Sequence, residues 1–188
     1  MREPGHTVVQ STREDVRIAY LAALAIVIHI TETALPSPLP GIKPGLANIV
    51  TVVVLCRFGW RAAAWVGLLR VLVGSLLVGT FLSPTFFLSA AGALAAVLAL
   101  GLSDRLPGVG PIGHSVLASL AHMAAQFAVA YQLFVPHPAM LRLLPVLMSA
   151  ALAFGLVNGL IAARMSAVAH ARSTAADPDE LPTCAPQR

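Results

Sequence analysis

The chain is poor in charge. Of its 188 residues only 11% are Asp, Glu, Lys or Arg, about half the share of an ordinary soluble domain. Aromatic residues are also scarce, at 6%, while 57% of the chain is hydrophobic and its mean hydropathy is +0.82. A soluble domain of this length cannot hide so much apolar surface, because small domains bury only part of what they carry. A soluble enzyme is excluded on these grounds, and the composition points to an integral membrane protein. Alternating short segments, the mark of a membrane β-barrel, are missing too. The chain has two cysteines, Cys56 and Cys184; both are expected near the cytoplasmic face, where a disulfide does not persist. There is no Cys/His zinc spacing, so neither a metal nor a cofactor is expected. No Walker sequence is present, so the chain itself hydrolyses no ATP. No cluster of basic and aromatic residues is present to track a nucleic acid.

What is there is a series of apolar runs. They fall at about Arg17–Leu35, Gly45–Phe58, Arg61–Phe81, Pro84–Leu102, Ile112–Val135 and Ala139–Arg164. Flanking them are a polar tail over residues 1–16 and a Pro- and Asp-containing tail over 165–188, expected to be disordered and cytoplasmic. The membrane domain is thus expected over 17–164, as an all-α six-helix bundle. The second run is too short to cross a bilayer: its 14 residues reach about 20 Å of a hydrocarbon core of about 30 Å. Pro44 suits the first position of that helix, and the Pro-rich stretch before it is irregular chain enclosed by protein. With the N-terminus inside, the cytoplasmic side receives Arg13, Arg17, Arg57, Arg61, Arg105, Arg164 and Arg172, and the outside only Lys43 and Arg142. This bias places both termini in the cytoplasm.

Counting about 1.5 Å per helical residue from the inner charges brings polar residues into two layers. Glu32, Lys43, Ser75 and Gln126 come out at about 21–22 Å, and Arg70, Asn48 and His122 at about 13–15 Å. Arg70 is the most informative of them. An arginine at that depth is costly, keeps its proton and must meet an anion in the bundle interior. That anion is either Glu32, in a structural ion pair, or a ligand; a ligand that displaces Glu32 reconciles the two. Lys43 precedes a helix that starts within the membrane, where unpaired N–H groups attract a carboxylate or phosphate; alternatively it snorkels to the outer interface. His122 and Gln126 share one helix face and either bond across helices or face a ligand. On the first helix, Ala19 and Ala23 form a small-residue pair opposite Glu32 that suits a partner helix. A series at Ala151, Gly155, Gly159 and Ala163 on the last helix predicts close packing within the bundle.

The runs Gly41-Ile-Lys43-Pro44-Gly-Leu-Ala-Asn48, Leu69-Arg70-Val-Leu-Val-Gly74-Ser75-Leu-Leu-Val-Gly79-Thr80-Phe-Leu-Ser83-Pro84 and Ala121-His122-Met123-Ala-Ala-Gln126 resemble the Gx transporter family, also labelled heptaprenyl diphosphate synthase component I. The resemblance covers about residues 18–164. Pro44 stands where the family more usually has Leu, and Met123 where it has Asn. That family is similar to the substrate-binding S components of energy-coupling-factor transporters. The resemblance implies a membrane component of the bacterial inner membrane that takes up a small, anionic metabolite or vitamin-like molecule. It also implies partners: a coupling membrane protein with an ATPase pair, docked on the Ala19/Ala23 face. The candidate ligand-binding set is Glu32, Lys43, Asn48, Arg70, Ser75, Thr80, Ser83, His122 and Gln126. The alternative is a noncatalytic membrane subunit of polyprenyl diphosphate synthesis, since the chain has no D-D-x-x-D motif to hold magnesium on a diphosphate and no catalytic residue is assigned.

Overall fold

A computed structural model describes residues 13–34 and 47–176. Among them there are helices and no strands. The long elements are α1 (Arg13–Ala34), α2 (Ala47–Val78), α3 (Pro84–Ser103), α4 (Pro111–Val129) and α5 (Leu144–Ala176). A π-helical turn, Ala130–Phe134, extends α4, and a 3₁₀ turn, Pro138–Leu143, leads into α5. Four of these helices are long and apolar enough to cross a membrane. The apolar part of α1, Ala19–Thr31, is shorter because charged residues stand at 13, 14, 15, 17 and 32.

The six apolar runs of the sequence therefore fall on five long helices, because the second and third are two parts of α2. Gly59, at φ 79° and ψ 177°, interrupts the helix. The Arg70 guanidinium donates to Asn48 Oδ1 at 3.0 Å. In a straight helix those residues would stand about 33 Å apart, so α2 doubles back at Gly59. Asn48 lies eleven residues before that glycine and Arg70 eleven after. Thr51 and Gly67, eight residues to either side, also face each other, with 3.8 Å between the Thr51 methyl and the position of a Cβ on Gly67. The element is a helical hairpin with a first arm over 47–58 and a second over 60–78. A left-handed φ suits glycine, which has no Cβ to clash. The first arm is heavily buried: Val50, Thr51, Val52, Val54, Leu55 and Cys56 are all in the interior.

The arms form the centre of the bundle, and α2 touches each of the other four helices. The core joins Ala22 and Ala25 of α1 to Val52, Val54 and Val66 of α2, Ala96 and Leu100 of α3, Ala118 of α4 and Ala162 of α5. Large apolar side chains such as Leu77, Leu98, Val157 and Leu160 point outward, as they do when the surrounding medium is lipid.

Small residues let the helices approach. A Cβ on Gly159 would stand 2.7 Å from Ile112 Cα, and one on Gly155 3.0 Å from Val116 Cα. The small-residue series of the last helix thus packs against α4 within the bundle. Between α2 and α3, Trp60 donates its indole N–H to the Val97 carbonyl at 2.9 Å and lies over Gly101. The Gly59 bend is therefore at the same end as the α3–α4 turn. His29 of α1 packs on Gly74, so α1 and the second arm of α2 run parallel and α1 begins at the Gly59 end.

Boundaries differ from expectation at the last helix. It does not end at Arg164, and residues 165–176 continue it. No proline or glycine occurs between Arg164 and Ala176, the first breaker being Pro178, and four of the intervening residues are alanine, the best helix former.

Candidate functional site

The turn from α2 to α3 is built by local chemistry. Gly79 sits at φ 73° after the last helical residue. Its N–H bonds the Leu76 carbonyl at 3.2 Å, and the Thr80 N–H reaches back to the Ser75 carbonyl at 2.9 Å. These two bonds make a Schellman ending that satisfies carbonyls left open by the helix. Ser83 caps α3: its Oγ accepts from the Phe86 N–H at 3.3 Å and donates to the Thr80 carbonyl at 2.6 Å. Pro84 follows at the first helical position, where its missing N–H costs nothing. The Gly-Thr-x-x-Ser-Pro run is thus accounted for as turn and cap chemistry. Two of the candidate ligand residues, Thr80 and Ser83, have structural work in that turn.

Arg70 is 5% exposed, well inside an apolar bundle. It is carried by the second arm of α2, and its hydrogen-bond acceptor Asn48 by the first. His122 of α4 lies within electrostatic reach of both the Arg70 guanidinium and the His29 imidazole. Two glycines seat these rings: a Cβ on Gly74 would meet His29 Cδ2 at 2.7 Å, and one on Gly92 would meet His122 Cε1 at 2.7 Å and Gln126 Cγ at 2.9 Å. Three helices, α1, α2 and α4, thus bring Asn48, Arg70, His29, His122 and Gln126 together. Ser75 is buried one turn beyond Arg70, its hydroxyl donating to the Leu72 carbonyl at 2.9 Å.

Two small recesses open on this cluster. One is lined by Asn48, Thr51, Gly67 and Arg70 with apolar residues of α3 and α4. The other lies nearer the α2–α3 turn, among His29, Gly74, Ser75, Thr80, Thr85 and Ser89. Each holds little more than a water-sized group. Glu32 belongs to α1, but its side chain is outside the described residues, as is Lys43 altogether. The expected Glu32–Arg70 ion pair and the Lys43 anion pocket lie outside them with those residues.

His29, Thr85, Ser89, Gly74 and Gly92 were not among the candidate residues. His29 carried a signal, as an ionisable group in an apolar helix. The glycines carried none, because their part is to leave room. A second polar contact was also missed. Ser103 and His114, 1% and 6% exposed, meet at 2.7 Å between Ser103 Oγ and His114 Nδ1, and the serine also contacts the Leu100 carbonyl at 3.0 Å. They clasp the start of α4 to the end of α3. Among the described residues no group of three or more His, Cys, Asp and Glu is placed to hold a metal.

Ala19 and Ala23 are exposed on α1, on the face that also carries Val16, Tyr20 and Val27. Ala22 and Ala25 turn to the core.

A family model described as heptaprenyl diphosphate synthase component I matches residues 21–165. Comparison with curated proteins and with solved structures gives no match.

Proposed function

The chain belongs to the heptaprenyl diphosphate synthase component I family, and from that premise we propose that it is a membrane component that binds and takes up a small anionic metabolite. The observation that carries this reading is the buried Arg70, bonded to Asn48 and within electrostatic reach of His122, which has His29 within reach in turn and Gln126 beside it. An arginine at mid-membrane depth costs about 2.5–3.5 kcal/mol in insertion terms. Such a cost is met in proteins mainly where the group meets ions or substrates. The ligand set of this reading is Glu32, Lys43, Asn48, Arg70, Ser75, His122 and Gln126, with Thr80 and Ser83 shaping the turn above them.

Six passes with both termini in the cytoplasm of a bacterial inner membrane belong to the same reading. The arms of α2 count separately as two of the six, the first running to the Gly59 end and the second back from it. Support comes from the ends of the bundle: Arg57, Arg61 and Arg105 gather at the Gly59 end, where α1 begins, and Arg142 stands at the other. The exposed Ala19/Ala23 face of α1 is where a coupling membrane protein with its ATPase pair would dock.

The family's description favours a second reading: a noncatalytic membrane subunit whose partner is a polyprenyl diphosphate synthase component. Recovery of the tagged protein in mild detergent separates the two. Two ATPases and a coupling protein support transport; a prenyltransferase without ATPases supports the second reading. Mass spectrometry of small anions released from the purified protein tests the site itself. Arg70→Gln is expected to lower their yield by about ten-fold, the loss of one charged hydrogen-bonding contact. An unchanged yield overturns the role given to Arg70.

A further inference from the structure

We propose that small anions and water reach Arg70 from the α2–α3 turn, through the hydroxyl-lined recess between α1, α2 and α3, with Phe86 as its gate. This rests on the reading of Arg70 as the anion site. The recess is lined by His29, Gly74, Ser75, Thr85, Phe86 and Ser89. On the second arm it is also lined by Val71 and Val78, and Gly74 is one helical turn from Arg70, since residues four apart share a face. From His29 the polar series continues to His122 and on to Arg70. Four hydroxyl residues, Ser75, Thr80, Thr85 and Ser89, and an imidazole supply partners for water in a bundle otherwise built of alanine, leucine and valine, and a polar recess of this size holds a water when two or more groups bond it.

Phe86 lines the recess from α3 and is partly exposed. Its backbone is fixed by the Ser83 cap, and its ring packs at 4.9 Å on Phe81 and 5.6 Å on Phe87. Phe81 and Phe87 are both exposed, at 42% and 45%. The Phe86 ring can therefore turn without disturbing the core, and that turn is the opening step of the proposed route.

The test is thiol accessibility in the full chain, reconstituted in vesicles, with Cys56→Ala and Cys184→Ser as background. Ser89→Cys places a near-isosteric thiol in the recess. Leu94→Cys places one on the outward face of the same helix, where Leu94 is 51% exposed. Only a hydrated thiol ionises and reacts. The anionic reagent 2-sulfonatoethyl methanethiosulfonate is expected to modify Ser89→Cys about ten-fold faster than Leu94→Cys, and Phe86→Ala is expected to raise the Ser89→Cys rate further. Equal rates at the two positions overturn the route and leave the Arg70 site standing. A Ser89→Cys rate indifferent to Phe86→Ala overturns the gate. Adding Arg70→Gln is expected to slow the anionic reagent more than its trimethylammonium counterpart. If the two reagents respond alike, the attraction of anions to Arg70 fails, and with it the reading on which the route was built.

Discussion

Gly79 and Gly110 both border α-helices, yet they make different demands. Gly79 needs a left-handed φ of 73°, and the bonds of the Schellman ending depend on it. Gly110 has an extended backbone at φ −90° with nothing near the position of a Cβ. Gly79→Ala is therefore expected to destabilise the protein by about 1–2 kcal/mol, and Gly110→Ala by no more than about 0.5 kcal/mol. Thermal midpoints in one detergent compare the two. At the Ser103–His114 contact, His114→Ala removes one of the two partners of a buried hydroxyl, the Leu100 carbonyl remaining, and is expected to cost about 0.5–1.5 kcal/mol, read by the same melt. Residue positions were legible in the sequence to different degrees. Counting rise per residue places Asn48 and Arg70 at one depth, and they bond. His29 stands on the same helix face as Glu32, but nothing in the count shows that Gly74 makes room for its ring or that Ser89 lines a recess with it. A glycine that makes room leaves no polar or periodic mark.

The elements were legible where apolar runs are bounded by strong local signals. Ser83-Pro84 starts α3 and Gly110-Pro111 starts α4, as capping preferences require. The Gly155/Gly159 series was legible too, because small residues four apart form one stripe on a helix. Gly159→Leu is expected to force α4 from α5, since even a Cβ there would stand 2.7 Å from Ile112 Cα. A loss of about 1–3 kcal/mol should appear as a lower midpoint, and Gly113→Leu, whose nearest neighbour is a valine side chain, should lose less. The end of α5 was not legible from composition. The polar residues after Arg164 read as a tail, but polarity does not break a helix; proline does, and it first comes at Pro178.

At the scale of the whole molecule, the 33 residues of α5 span about 50 Å against a hydrocarbon core of about 30 Å. The helix must therefore leave the bilayer at one end. Hydrogen exchange in vesicles is expected to protect the amides of 144–163 and to exchange those of 165–176 much faster, since water reaches the latter. Uniform protection along α5 would mean that something covers its last third. Fold class was legible from composition alone, because low charge and high hydropathy in a short chain leave few alternatives. The way the runs pair was not. One positive φ at Gly59 joins two runs into a single folded element, and a backbone angle is not written in hydropathy.

The hairpin at Gly59 also constrains how this sequence can drift. Its arms face each other in mirror register, with Asn48 and Arg70 equally distant from the bend, and Thr51 and Gly67 likewise. Inserting or deleting one residue in either arm turns everything beyond it by about 100° and shifts it by about 1.5 Å. Asn48 would then leave Arg70, and the small residue opposite Thr51 would give way to a larger one. Length change is thus forbidden across residues 48–70 as a block, while substitution on the outward faces is free. In the relatives of this chain, gaps should begin only outside that block.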